Sequence, residues 1–84
     1  MSRIELEPGE RIAVIGFDYR STLHWARWES GLPSDRMIIV GDPSHLRGVP
    51  RGLRFVLLDG FYDRRNWREF SDSLRSRGAR QIVW

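Results

Sequence analysis

The stretch from Leu53 to Gly60 restricts the fold of this 84-residue chain more than any other. Its middle, from Phe55 to Leu58, is apolar at every position, and Asp59 follows directly. A strand with one face in solvent alternates apolar and polar side chains, whereas a strand covered on both faces does not. The stretch therefore predicts a strand buried on both faces, which is typical of a parallel sheet between layers of helix.

Three further strands and two helices are predicted around this central strand. Apolar runs at residues 11–17 and 36–40 share its pattern, and a short run ends the chain at residues 81–84. Helical spacing of apolar residues covers residues 21–30 and 66–77. The order β-α-β-β-α-β predicts a small three-layer α/β sandwich, with a mainly parallel four-stranded sheet and two main helices.

The same patterns predict the arrangement of the strands and the composition of the core. We expect the strand that contains Phe55 to lie beside the strand that contains Ile12 at the centre of the sheet, with the strand of Trp84 at an edge. The middles of the apolar runs are predicted to be buried, with one leucine of each helix covering the sheet: Val14, Ile15, Ile39, Val56, Leu57, Leu23 and Leu74.

The length of the chain predicts one small domain over residues 1–84, in which residues 1–10 form a polar leader or a short edge strand. A domain of this size has a thin core. Cysteine is absent, which excludes disulfides and thiolate metal sites. Self-association is the remaining way to add stability, so we predict a homo-oligomer, with a dimer as the simplest form.

Hydropathy predicts a protein without membrane contact. No apolar stretch of the sequence approaches the ~20 residues that span a bilayer. Residues 1–10 carry three glutamates and lack the apolar core of a signal peptide. We therefore predict a cytoplasmic protein.

Arginine supplies all fourteen basic side chains, and these are unevenly distributed. Residues 1–35 carry four arginines and six acidic residues, whereas residues 36–84 carry ten arginines and five acidic residues. The second half is thus suited to nucleic acid or to an acidic protein. We favour the codon usage of a GC-rich genome as the cause. In this respect the composition resembles that of small actinobacteriophage proteins, which implies a host protein as partner in the host cytoplasm.

Three predicted strands are followed by an aspartate: Asp18, Asp42 and Asp59. The carboxyl ends of parallel strands meet at one end of a sheet, where open α/β folds bind their ligands. Three carboxylates there are suited to Mg²⁺. Aspartate is also a common residue at helix starts and turns, and we favour this capping role over metal binding.

The segment from Phe55 to Gly60 is similar to the Walker B strand of P-loop nucleotide-binding proteins, whose aspartate helps to hold Mg²⁺. The matching Walker A turn would be residues 16–22, which keep Gly16 and Thr22 but lack the second glycine and the lysine. The resemblance implies a Rossmann-like or P-loop-like topology. The missing residues predict that the chain does not hydrolyse nucleotides.

The sequence contains no recognisable catalytic constellation. The two histidines, His24 and His45, have no second ligand at the spacing that zinc needs. No nucleophile elbow or triad pattern is recognisable either. We predict that the protein is not an enzyme and that it holds no metal or cofactor.

Large aromatic residues are numerous for so small a core. Trp25 and Trp28 are predicted to form an exposed ridge on the first helix, and Trp84 lies on the predicted edge strand. Because tryptophan and arginine are enriched at binding hot spots, we predict a small binding protein that acts through an aromatic and arginine surface. The alternatives are nucleic-acid binding through the second half, or a vestigial Mg²⁺ or nucleotide site at Asp18, Asp42 and Asp59.

Overall fold

A four-stranded parallel sheet forms the centre of the protein in the computed structural model, which describes residues 4–78 and 80–83. The strands lie in the order β2-β1-β3-β4, and every neighbouring pair is parallel. The predicted α/β fold is therefore confirmed, as is the central position of the Ile12 and Phe55 strands. The strands are β1 (Ile12–Ile15), β2 (Met37–Ile39), β3 (Arg54–Leu57) and β4 (Arg80–Val83).

Helical segments connect the strands on both faces of the sheet. Helix α1 (Tyr19–His24) follows β1 and continues into a π-helical turn, Trp25–Glu29. Helix α2 (Trp67–Ser76) lies between β3 and β4. Short 3-10 turns complete the connections at Ser34–Arg36, Pro43–Gly48 and Phe61–Asp63. None of the helices among the described residues is long and apolar enough to cross a membrane.

The core consists of two apolar clusters, one on each face of the sheet. On one face, Val14 and Val56 pack with Trp25 and Ala26 of the first helical segment. On the other face, side chains of β1 and β3 pack with α2 and with the turn after β2, and this cluster contains Ala13, Ile15, Leu57, Leu46, Phe70 and Leu74. Successive residues of β1 and β3 thus contact opposite layers, which explains why their sequences do not alternate.

The predicted core is largely confirmed. Five of the predicted residues have no exposed surface: Val14, Ile15, Val56, Leu57 and Leu74. Ile39 and Leu23 are only partly buried. Ile39 belongs to β2, which is an edge strand among the described strands, and Leu23 lies beside the inward face of α1.

The predicted exposed ridge on the first helix is wrong for Trp25. The Trp25 side chain is 7% exposed and belongs to the core, whereas Trp28 is 75% exposed. The inward face is formed by Thr22, Trp25 and Ala26, which are spaced three and four apart. The two tryptophans therefore form no common surface. Trp84, the third candidate interface residue, lies outside the described residues.

The leader forms no edge strand over its described part, residues 4–10. Ile4 and Leu6 pack against the cluster that contains Trp25. Arg54 at the start of β3 donates from Nε to Glu10 Oε2 at 2.7 Å and from Nη2 to Glu10 Oε1 at 2.8 Å. This hydrogen-bonded arginine holds the pKa of Glu10 below its ordinary value. The leader is thus attached to the sheet by apolar contacts and a two-point ion pair.

Candidate binding site at the carboxyl end of the sheet

The three strands followed by aspartate bring their carboxyl ends together at one end of the sheet. The connection after β1 crosses one face, and the connection after β3 crosses the other. The strand order therefore changes direction between β1 and β3, which is where open α/β sheets form a ligand crevice. Asp18, Asp42 and Asp59 all follow these strands, and all three side chains are exposed.

Asp18 and Asp42 act as caps, as the favoured interpretation of the sequence predicted. Asp18 Oδ1 accepts from the Ser21 amide at 2.7 Å, and Asp42 Oδ1 accepts from the Ser44 amide at 3.0 Å. These amide hydrogen bonds, more than any nearby charge, hold the pKa of each carboxyl below its ordinary value. Within residues 4–78 and 80–83, no three histidine, aspartate or glutamate side chains are grouped so that they could hold a metal ion.

The loop that resembles a Walker A turn is closed by its own side chains. The Gly16 amide donates to Thr22 Oγ1 at 2.9 Å, and that hydroxyl donates to the Asp18 carbonyl at 2.6 Å. The Asp18 amide donates to Ser21 Oγ at 3.3 Å. In a phosphate-binding loop, amides at these positions point at the anion. Here they are bonded internally, so the geometry does not favour phosphate, and the P-loop resemblance stays a prediction about topology.

Arg64 ties the carboxyl ends of β1 and β2 to the segment before α2. Its Nη1 donates to the Gly16 carbonyl at 3.0 Å, and its Nη2 donates to the Gly41 carbonyl at 2.8 Å. Its Nε donates to Asn66 Oδ1 at 2.9 Å, and the guanidinium lies 4.6 Å from the centre of the Phe70 ring. Burial lowers the pKa of Arg64, while Asp42 and Asp18 act in the opposite direction, and the guanidinium remains charged.

The Asn66 side chain binds Arg64 instead of capping helix α2. Asn66 and Glu69 have the spacing of a capping box, but the Asn66 side chain makes no capping hydrogen bond to α2. It accepts from Arg64 instead. Asn66 therefore orients the guanidinium that ties the loops together.

Three aromatic residues are half exposed in the segments that Arg64 connects. Phe17 is 50% exposed, and Tyr19 and Tyr62 are each 52% exposed. Tyr19 lies against Gly41, where an added Cβ would be 3.1 Å from the Tyr19 Cβ. Tyr62 packs edge-on against the neighbouring Phe61 ring, with 5.0 Å between the ring centres. The exposed Arg20 and Arg65 lie in the same segments, and we call Phe17, Tyr19, Arg20, Tyr62 and Arg65 the carboxyl-end surface.

A cleft of about 580 Å³ opens beside this surface, between the first helical segment and the end of β3. Trp25 and Leu58 contribute apolar walls and are both almost buried. The cleft extends along the first helical segment as far as Glu29. Its lining consists of Gly16, Phe17, Asp18, Arg20, Ser21, His24, Trp25, Glu29, Leu58 and Asp59.

The structure brings together only part of what the sequence predicted as a site. Asp18 and Asp59 line the cleft, whereas Asp42 does not. Trp25 contributes a wall from within the core, and Trp28 lies outside the lining. No local signal in the sequence marks Arg64, because the carbonyls that it binds belong to other strands.

Comparison with known proteins adds no relative to this description. No protein-family model matches the chain. Neither the curated proteins nor the solved structures contain a significant match to it.

Proposed function

We propose that this is a small non-enzymatic binding protein, which contacts another protein through the carboxyl-end surface. The observation that carries the proposal is that three half-exposed aromatic rings lie in segments joined by one hydrogen-bonded guanidinium, that of Arg64. Aromatic side chains bring large contact areas with few rotatable bonds, and together with arginine they are enriched at binding hot spots. Scattered exposed apolar residues are ordinary, but a group in one place is typical of an interface.

The hydrogen bonds of Arg64 favour a binding role for the carboxyl-end surface. Arg64 fixes the carbonyls of Gly16 and Gly41, and these residues adjoin the segments that carry Phe17 and Tyr19. A surface that is already ordered loses little conformational entropy on binding. A loop that must close over a substrate has to move, and the hydrogen bonds from Arg64 to Gly16 and Gly41 would oppose that movement.

A polypeptide partner is favoured over nucleic acid by the placement of the arginines. Arg36, Arg54 and Arg77 donate to backbone carbonyls of other segments, as Arg64 does, so part of the arginine excess serves the fold. In addition, exposed carboxylates lie at the carboxyl end of the sheet and would repel phosphates: Asp18, Asp42, Asp59 and Asp63.

Composition supports the proposed partner and setting, and the edges of the sheet support the proposed oligomeric state. We propose a cytoplasmic actinobacteriophage protein that binds a host protein, since the arginine-only composition is of that kind. A homodimer is part of the same proposal, because β2 and β4 are the edge strands of the sheet that residues 4–78 and 80–83 form. Sedimentation over a concentration series tests the dimer, and a monomeric mass throughout would contradict it.

The test of the binding surface compares two tyrosines with a matched tryptophan. The double variant Tyr19→Ser/Tyr62→Ser removes two rings of the surface, whereas Trp28→Ser removes the more exposed ring of the first helical segment. Each protein is immobilised and exposed to an actinobacterial lysate, and any retained protein is purified and titrated. We expect one host protein to bind the parent chain and Trp28→Ser with equal affinity, and to lose at least tenfold in affinity for the double variant.

Two results would contradict the proposal. One is equal binding of the purified partner to the double variant and the parent chain, with circular dichroism showing that both are folded. The other is retention of nucleic acid alone, with an affinity that falls steeply as salt rises.

A further inference from the structure

The cleft beside α1 is a second feature of the carboxyl end, and it shares Phe17 and Arg20 with the carboxyl-end surface. It lies at the point between β1 and β3 where the strand order changes direction. Its volume of about 580 Å³ falls in the range of pockets that hold small organic ligands. The position and size together are those of a small-molecule site.

The walls of the cleft combine apolar and charged residues. Phe17, Trp25 and Leu58 supply the apolar surface. Asp59 and Glu29 are exposed, and neither side chain makes a hydrogen bond or ion pair within the described part of the chain. Apolar walls with a few available polar groups are what orient a bound ligand.

The charges of the lining favour a cation. Among the described residues, three carboxylates line the cleft, from Asp18, Glu29 and Asp59, together with one arginine, Arg20, and one histidine, His24. The whole chain has a net charge of +3, so the cleft is acidic in a basic protein. Clefts with an excess of one charge concentrate ligands of the opposite charge.

The helical turn that forms one wall of the cleft is unusual. Trp25–Glu29 is π-helical, and such turns are rare and frequently occur at functional sites. This turn contributes the Trp25 and Glu29 side chains to the lining. An apolar wall and a carboxylate are thereby supplied by a single turn.

At this position the backbone amides that could bind an anionic ligand such as a phosphate are already hydrogen-bonded. The Gly16 amide is bonded to Thr22 Oγ1, and the Ser21 amide is bonded to the Asp18 carboxylate. The carboxylate of Asp18 already lies at the start of α1, where an anion would otherwise be favoured.

We propose that the cleft binds a small organic cation, consisting of a flat apolar body that carries a protonated amine. The apolar body lies against Trp25, Leu58 and Phe17. The amine lies at Asp59 or Glu29, whose oxygens have hydrogen-bonding capacity to spare.

Two probes with the same ring and opposite charge test the ligand class. Tryptamine and indolepropionate share an indole on a two-carbon arm, and end in an ammonium and a carboxylate respectively. Titration is followed by the backbone amide signals of Gly16, Ser21 and Leu58 in a ¹H–¹⁵N spectrum. We expect tryptamine to bind about threefold to fivefold more tightly than indolepropionate at low salt, as for one partly exposed ion pair. The preference should fall as salt rises.

Charge-neutral variants locate the binding position. Asp59→Asn and Glu29→Gln each remove one carboxylate of the cleft, and Asp72→Asn removes an exposed carboxylate on α2 as the matched control. At least one cleft variant should abolish the preference for tryptamine, while the control keeps it. Tyr19→Ser/Tyr62→Ser should also keep it, since neither tyrosine lines the cleft.

Three results would overturn the proposal: an equal or tighter affinity for indolepropionate, no saturable change at Gly16, Ser21 and Leu58 with either probe, or an unchanged preference in both cleft variants. None of these results bears on the carboxyl-end surface, and loss of the protein partner in the tyrosine double variant does not bear on the cleft.

Discussion

Arg64 donates a hydrogen bond of 2.8 Å to the carbonyl of Gly41 and thereby joins the segment before α2 to the end of β2. A second hydrogen bond, 3.0 Å long, joins the same guanidinium to Gly16 at the end of β1. Three separate parts of the chain thus meet at one side chain. The exposed rings of Phe17, Tyr19 and Tyr62 lie in the segments that this side chain connects.

Replacing Arg64 by alanine should destabilise the domain and loosen the carboxyl end. The variant leaves two carbonyls without their protein donor and removes a cation from the Phe70 ring. We expect a loss of about 1–3 kcal/mol in the free energy of unfolding, measured by urea denaturation.

Arg64→Lys is the conservative comparison for this position. A lysine ammonium cannot reproduce the planar fork that reaches both carbonyls, so its stability should be intermediate. Arg65→Ala, at the neighbouring exposed position, should change stability by less than about 0.5 kcal/mol. Equal stabilities of Arg64→Ala and Arg65→Ala would show that the hydrogen bonds of Arg64 contribute nothing to the free energy of unfolding.

Gly16→Ala should be strongly destabilising because the space for a side chain is taken. An added Cβ would lie 2.6 Å from Thr22 Oγ1, within a fully buried contact. We expect a cost of about 1–3 kcal/mol. Gly48→Ala is the matched control, since an added Cβ at Gly48 meets no atom within 4 Å. A similar melting temperature for the two alanine variants would refute the close packing at Gly16.

The ion pair of Glu10 with Arg54 should make stability depend on pH in a defined direction. The pKa of Glu10 is lowered in the folded protein, chiefly by the hydrogen bond from Arg54. The pair therefore contributes its stability above the ordinary pKa of glutamate, and this contribution is lost as the pH falls through the lowered value.

Glu10→Gln tests this directly. We expect it to be about 1 kcal/mol less stable than the parent chain at about pH 7, and the difference should close as the pH falls through the lowered pKa of Glu10. Glu69→Gln, at an exposed position of α2, is the control and should show a small difference that does not follow this pattern. A difference for Glu10→Gln that persists at low pH would contradict the assigned pair.

Trp25 and Trp28 should respond in opposite ways to truncation. Trp25→Ala removes a large ring from the core and should cost about 3–5 kcal/mol, which is enough to unfold much of a small domain. Trp28→Ala removes an exposed ring and should change stability by less than about 0.5 kcal/mol. Thermal unfolding followed by circular dichroism separates the two. Equal effects would mean that the inward face of α1 has been assigned wrongly.

The sheet was predictable from sequence because a strand buried on both faces is apolar at successive positions. Residues 55–58 show no alternation, and that pattern requires layers on both sides of β3. The caps at Asp18 and Asp42 were also predictable, since each precedes a serine whose amide needs an acceptor at a helix start.

Two features could not be predicted in this way: which face of the first helical segment packs on the sheet, and which groups Arg64 binds. With an apolar residue at positions 23, 25, 26 and 28, more than one face of that helix is apolar, so spacing alone does not decide which faces the sheet. Asn66 has the local pattern of a cap, but the tertiary contact with Arg64 takes its side chain. Such contacts depend on where distant strands end, and this cannot be inferred from the residues next to Arg64 or Asn66.

The hydroxyl of Thr22 couples substitutions at positions 16 and 22. Replacing Thr22 alone leaves the buried Gly16 amide without an acceptor, at a cost of about 1–3 kcal/mol. Replacing Gly16 alone meets the hydroxyl. A single substitution at either position is therefore expected to give a less stable protein than the parent chain. Among diverged copies of this chain, the two positions should covary.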